Sequence, residues 1–299
     1  MTEISKGEDL PGPGQPGWGG AGPSEIPHGV VGKSSGTGTD SVSGAVAREE
    51  IPALPPRRIG LADGGWWAGL VAPSPAPSAA TATAAGMLGG QFDDIAYAGR
   101  GAAALAMDET PPPGYVLVDV VRTGPGLFLL DSLDWNGRDA VHFGGGFPPH
   151  RFGRWVMWCD TLYPLRFRVQ CDSRDEWVVV VRPLGAARAL GDGATGRGAD
   201  VLLHTGPAGE LVLRAHSTQG GSLRVEGHKP RRPGAPTSYP QTLASAADRR
   251  PEDARPLPEG PLVLGVVEGD GDWSLDIRPA RPSENRTGLW NRLRGRRAD

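Results

Sequence analysis

The sequence predicts an all-β protein: two tandem antiparallel β-sandwich-like units behind a long Gly- and Pro-rich N-terminal region. Three observations carry this. Short β-branched runs separated by turn residues begin after Pro111-Pro-Pro113. Helical periodicity is scarce beyond that point. Two landmarks also recur in order, Thr123-Gly-Pro125 with Thr205-Gly-Pro207, and Glu176-Trp177 then Arg182-Pro183 with Asp272-Trp273 then Arg278-Pro279.

Residues 1–110 hold 21 Gly and 11 Pro, with Ser, Thr and Ala filling much of the rest. Such a segment buries too little apolar surface to offset the entropy of ordering it, so it is expected to be mostly disordered. Gln91 to Met107 alone has the make-up of a short helix, interrupted by Gly99 and Gly101. Gly32-Lys-Ser34 imitates the end of a phosphate-binding loop, but Pro27 stands where that loop needs Gly, so the match is chance.

From residue 111 the elements read as strands. Tyr115 to Val121 is short and β-branched, and Gly126 to Leu130 follows a turn. Asn136-Gly137 is a hairpin signal of the type I′ kind, which needs φ > 0 at both central positions. Leu165, Phe167, Val169 and Cys171 alternate with Arg166, Arg168 and Gln170, one set for a core and one for water. Trp177-Val-Val-Val-Val181 is a further strand, and Pro183 to Leu190 suits one or two helical turns.

The recurring landmarks imply a repeat. Aligned on Thr-Gly-Pro, Leu129, Leu130, Val141 and Phe143 match Leu211, Val212, Leu223 and Val225. The units are placed at 111–190 and 198–280, with a Pro-rich insertion at about 229–258 in the second and a basic tail at 281–299. Trp177 and Trp273 are the expected structural anchors, since a buried indole removes more apolar area than any other side chain.

The stretch Gly260-Pro-Leu-Val-Leu-Gly-Val-Val-Glu-Gly-Asp-Gly-Asp-Trp-Ser-Leu-Asp-Ile277 resembles the Trp-anchored β-sandwich repeats of actinobacterial proteins without assigned activity. Some of these accompany tellurium-resistance stress proteins of the TerD type. The resemblance covers about 110–280 and implies a fold class and a stress or envelope context. It implies no catalytic residues, and the calcium-binding Asp motifs of the TerD domain are not found here.

Composition narrows the function. A net charge of −3 disfavours a nucleic-acid-coating role. Two Cys, Cys159 and Cys171, rule out a disulfide scaffold, and the sequence leaves open whether they pair. The six His, at 28, 142, 150, 204, 216 and 228, show no metal-ligand spacing. No G-x-S-x-G elbow is present. No cofactor, metal site or catalytic set is expected. The start lacks an apolar signal-peptide core, and three prolines interrupt the charge-free stretch Gly64 to Phe92, so a cytoplasmic location is expected.

The densest aromatic region runs from Phe143 to Trp158. Phe147, His150, Arg151, Phe152, Trp155 and Trp158 are the candidate binding residues, on a loop between sheets. In the tail, Trp290 lies among Arg292, Arg294, Arg296 and Arg297, a pattern suited to an anionic membrane or an acidic partner. The reading is a non-enzymatic interaction protein whose partner is an unknown protein or surface. The alternatives are an enzyme using the 142–158 loop with His142, His150 and Arg151, and a Ca²⁺-responsive protein using Glu268-Gly-Asp-Gly-Asp272.

Overall fold

The computed structural model describes residues 54–71, 74, 76–134, 136–145, 152–160, 164–217, 222–231, 240–268 and 271–280. The first strands are β1 (Leu54–Ile59), β2 (Ile95–Arg100), β3 (Ala103–Ala106), β4 (Gly114–Arg122) and β5 (Leu129–Leu133). They continue with β6 (Asp139–Gly145), β7 (Phe152–Cys159), β8 (Arg166–Gln170) and β9 (Glu176–Pro183). The second set is β10 (Arg188–Leu190), β11 (Gly193–Arg197), β12 (Asp200–His204), β13 (Gly209–Ser217) and β14 (Ser222–His228). It ends with β15 (Gln241–Ala247), β16 (Glu252–Leu257), β17 (Leu262–Val267) and β18 (Asp272–Pro279). One helix, α1 (Ala79–Leu88), stands between β1 and β2.

The first nine strands build the sheets β1-β2-β9-β4-β7 and β3-β8-β5-β6. The second nine build β10-β12-β17-β14-β15 and β11-β18-β13-β16. With the edge strands β1 and β10 set aside, the two sets have the same order. The first, eighth, third and sixth strands share one sheet, and the second, seventh, fourth and fifth share the other. This is jelly-roll order. The chain is therefore all-β, with two tandem sandwiches of identical topology.

The Trp landmark is a true equivalence, because Trp177 and Trp273 each stand near the start of the eighth strand of their set. The Thr-Gly-Pro landmark is not one. Thr123–Pro125 follows the third strand of its set, whereas Thr205–Pro207 precedes it. That alignment pairs β5 with β13, one strand out of step. The sandwiches run from 95 to 183 and from 193 to 279, not over 111–190 and 198–280. The missed first strands, Ile-Ala-Tyr-Ala-Gly-Arg and Gly-Ala-Thr-Gly-Arg, carry little β-branched signal. The Pro-rich stretch 229–258 likewise contains two whole strands, β15 and β16; Pro256 lies on β16, an edge strand, where its missing N–H costs no ladder bond.

Each indole is locked in the same way. Trp177 donates its ring N–H to the Gly101 carbonyl at 2.8 Å, and Trp273 donates to the Gly198 carbonyl at 2.8 Å. Gly101 and Gly198 have φ of 72° and 66°, a left-handed conformation that favours Gly. Two residues earlier, Gly99 and Gly196 leave the space that the rings fill. Both sets of residues belong to the tetrapeptide Gly-Arg-Gly-Ala, at 99–102 and 196–199.

The inner face of each sandwich is apolar, with Val116, Val118, Val120, Phe167, Val169 and Trp177 central in the first lobe. Leu211, Leu213, Leu223, Val225, Trp273 and Leu275 fill the second. The outer face of the β4–β9 sheet is buried as well. Residues 54–110, expected to be disordered, supply part of its cover. Trp67 and Val71 pack on Ala96, Ala98, Val121, Val178 and Val180. Helix α1, with Ser78 as its N-cap, packs Ala84, Ala85 and Leu88 on Tyr115, Leu117 and Leu184, together with Val201, Leu203 and Val263 of the second lobe. This segment needs no core of its own, because a few large side chains land on an apolar face built elsewhere. Gln91–Met107, expected as a helix, forms β2 and β3.

Asp119 lies in that same interface, fully buried. Its oxygens meet Arg154 Nε at 2.7 Å, Arg154 Nη2 at 2.8 Å and Arg182 Nε at 2.7 Å. Arg182 reaches Asp94 at 3.1 Å, and Asp94 accepts from the Ser74 hydroxyl at 2.6 Å. The buried charges are thus paired, as burial demands. No helix among the described residues is long and apolar enough to cross a membrane.

Candidate functional site

The two lobes differ along one flank. In the second lobe, β15 folds against β16 and the sandwich is closed there, with Leu243, Ala244 and Ala246 buried. In the first lobe the equivalent strands are β6 and β7, and they do not close in that way among the described residues. Val141 of β6 is 42% exposed although it shares the core-facing side of the strand with buried Phe143. Trp155 of β7 is half-buried, edge-on to Phe143 with ring centroids 6.2 Å apart. Sandwich 1 therefore shows apolar core atoms along the β6 side.

β6 is also an edge strand that pairs only with β5, so its outer row of backbone groups meets no strand among the described residues. Of the other edges, β15 has neither proline nor charge but folds against β16, and the rest carry deterrents to strand addition or meet the second lobe. β1 has Pro55-Pro56 and Arg57-Arg58, while β3 and β10 are four and three residues long. β11 is Gly-rich, and β16 has Pro256 and buried Asp253. The outer edge of β7 meets the second lobe, where the Arg154 N–H donates to the Ala199 carbonyl at 3.4 Å. The β6 sequence, Asp-Ala-Val-His-Phe-Gly-Gly, has no proline and one formal charge, and its pairing with β5 is irregular between Asp139 and Val141 and between His142 and Gly145.

On the outer face of the same sheet a polar row crosses three strands. Asp131 of β5 faces Arg168 of β8 on one side and His142 of β6 on the other. Its carboxylate meets His142 Nδ1 at 2.6 Å and Arg168 Nη2 at 3.2 Å, and Arg168 also pairs with Asp139 at 2.5 Å. Asp131 is buried, so the hydrogen bond to Nδ1 fixes the ring and leaves Nε2 toward solvent. Ala104 follows Arg168 in the row. Hydrogen-bonding groups thus flank the exposed apolar edge, and no hydroxyl or thiol among the described residues bonds to His142 as a nucleophile would.

The hairpin signal places this row. β5 and β6 meet across 134–138, and the Asp134 carboxylate accepts from the N–H groups of Asn136 and Arg138, each at 2.8 Å. The turn differs from the type I′ expectation, because Gly137 (φ 77°) has positive φ and Asn136 does not. Asp131 and His142 were not singled out together from sequence, yet counting back from Asn136-Gly137 brings them opposite one another.

The residues expected to form one recognition surface are divided. Phe147, His150 and Arg151 lie outside the described residues, as does the side chain of Phe152, whose backbone opens β7. Trp155 and Trp158 fall on opposite faces of β7, because they stand three positions apart on a strand of period two. Trp155 faces the sandwich core. Trp158 faces the second lobe, edge-on to Tyr115 at 5.0 Å and under the Arg231 guanidinium at 4.8 Å. It therefore joins the lobes. The basic tail, with Trp290, Arg292, Arg294, Arg296 and Arg297, lies outside the described residues.

Other candidates resolve into structural roles. Cys159 and Cys171 are not joined in a disulfide, and burial pushes the Cys171 thiol up to about 11. Of the acidic turn, Glu268 pairs with Arg224 at 2.7 Å and Asp272 with Arg197 at 3.8 Å, while residues 269–270 lie outside the described residues. Among the described residues no group of three or more His, Cys, Asp or Glu side chains is placed to hold a metal ion.

Fold and site together define a two-lobed jelly-roll protein whose β6 edge pairs with no further strand among the described residues. No family model matches the chain, and no curated protein matches it. Among solved structures it is similar to the N-terminal CBM22-1–CBM22-2 tandem domain from Paenibacillus barcinonensis Xyn10C. The identity is 10% and the TM-score 0.21, over 65% of this chain and 82% of that one. The jelly-roll assignment made above stands on strand order alone.

Proposed function

We propose that this chain is a non-enzymatic interaction protein that takes up an extended strand along β6. One observation supports the reading: the flank that β15 and β16 close in the second lobe is not closed by β6 and β7 among the described residues, leaving Val141 exposed on an edge strand free of proline. Strand addition would supply backbone hydrogen bonds for affinity, and alternate side chains of the ligand would cover Val141 and Trp155. The Asp131–His142–Arg168 row would contact the side chains on the opposite face. The second lobe acts as a support, since its corresponding sheet is spent on contact with the first lobe.

A phage-displayed library of random ten-residue peptides, panned on the full chain, tests this. Selected peptides should slow amide exchange over 139–145 and lose binding to a Val141→Lys variant. Peptides that bind that variant equally well, or protect another segment, would overturn the reading.

A further inference from the structure

The inference deepens the strand-addition reading and rests on it. We propose that the strand taken up by β6 is β6 of a second copy of this chain, paired about a two-fold axis at His142. The protein is then a homodimer whose two four-stranded sheets run on into one.

Self-complementarity supports this occupant. A two-fold interface uses the same patch on both copies, and two edge strands related by such an axis are antiparallel. The strand holds one formal charge, Asp139, at its first position. Antiparallel overlap centred on His142, between the two irregularities of β6, leaves the two Asp139 carboxylates at opposite ends of the pair, so like charges do not face one another. The same register opposes Val141 to Phe143 of the second copy, covering the valine that is exposed in a single chain. On the outer face the two His142 rings meet at the axis. Each is held on its far side by its own Asp131, so the polar row continues from one copy into the next.

β15, which has neither proline nor charge, is folded against β16, and two further edges reject self-pairing on their sequences. Two β1 strands would bring Pro55-Pro56 and Arg57-Arg58 together, and two β16 strands would set proline into the ladder. A foreign peptide fits β6 on backbone grounds alone, whereas a second copy also meets the charge and side-chain pattern.

Sedimentation velocity on the full chain, over roughly a hundred-fold concentration range, reads the association. The wild-type chain should pass from monomer to dimer. Val141→Lys should weaken the dimer by about ten-fold or more, the effect of some 1.4 kcal/mol. Leu54→Lys, on the exposed β1 edge, should change nothing. His142→Cys should form a disulfide-linked dimer under mild oxidation, because residues facing across an antiparallel pair lie within disulfide reach. The native chain, treated alike, should not. A wild-type chain that stays monomeric throughout overturns the proposal, as does a Val141→Lys dimer of unchanged strength. If Val141→Lys loses its far-ultraviolet circular dichroism, the His142→Cys cross-link decides, and its absence counts against the dimer. A monomer whose 139–145 amides are still protected by selected peptides sinks self-pairing while leaving the interaction function intact. Failure of both sinks both.

Discussion

The indole of Trp177 occupies the space in which any side chain at Gly99 would have to begin, and its N–H is fixed by the carbonyl of Gly101. Trp273 stands in the same relation to Gly196 and Gly198. Each jelly roll thus joins its first strand to its last by one ring. Gly99→Ala and Gly196→Ala should each destabilise by about 1–3 kcal/mol, the usual range for overpacking a tight core. Urea unfolding should show the loss in the midpoint. Midpoints within experimental error of wild type would mean that the rings move aside without cost.

The buried carboxylate of Asp119 gives a second prediction. It is shared between Arg154 and Arg182, and together they tie β4 to β7 and β9. Asp119→Asn keeps the shape but removes the carboxylate that Arg154 holds through two nitrogens and leaves the buried Arg182 with Asp94 alone of its two carboxylates. Breaking a buried pair from one side costs about 3–5 kcal/mol. Thermal unfolding should register this as one of the largest single losses in the first lobe. Asp272→Asn, at an exposed pair 3.8 Å long, should be nearly silent.

Much of this was legible in the residues. Trp177-Val-Val-Val-Val-Arg-Pro and Trp273-Ser-Leu-Asp-Ile-Arg-Pro are the same strand in two environments. The second alternates, so one face meets water. The first is apolar throughout, which marks a strand covered on both faces. The run of valines therefore announces that something lies over the outer face, though not what. The cover came from residues 54–110, whose composition is that of an unstructured chain, because Trp67 and Leu88 act at a surface made by other residues. The repeat was legible in Gly-Arg-Gly-Ala and the Trp, and was obscured by Thr-Gly-Pro, a turn sequence that recurs for local reasons. The candidate site was legible in part. Asn136-Gly137 placed the hairpin, but Trp155 and Trp158 were grouped by proximity in sequence, which ignores the two faces of a strand.

Helix α1 offers a gain in stability. Gly86 is exposed in its interior, and a Cβ added there meets nothing within 4 Å. Gly86→Ala should stabilise by about 0.4–1 kcal/mol, since Ala has less backbone freedom to lose. Differential scanning calorimetry should show a raised melting temperature. An unchanged or lowered value would indicate that α1 does not unfold with the lobes.

The lobe junction should respond to acid through His228. Its ring is edge-on to Tyr115, with centroids 5.6 Å apart, and its Nε2 lies over Gly265. The Tyr115 hydroxyl donates to the Lys229 carbonyl at 3.0 Å, and Arg231 stacks on Trp158, so residues 228–231 strap the second lobe to the first. The charged groups nearby are Glu226, at 4.0 Å from Nε2, with Lys229 and Arg231 on the same segment. Burial holds the imidazole down at about 4, against 6.5 for an exposed ring. A lowered histidine value means that the unfolded chain binds the proton first. The stability that neutral His228 confers is complete above pH 6.5, falls as pH drops toward 4 and levels off below it. The full span corresponds to roughly 3 kcal/mol. Melting temperatures taken between pH 7 and pH 4 should fall for the wild-type chain and fall less steeply for His228→Phe, which keeps the ring but cannot titrate. Parallel curves for the two proteins would place the acid response elsewhere, with His204, also buried and also lowered, the next group to replace.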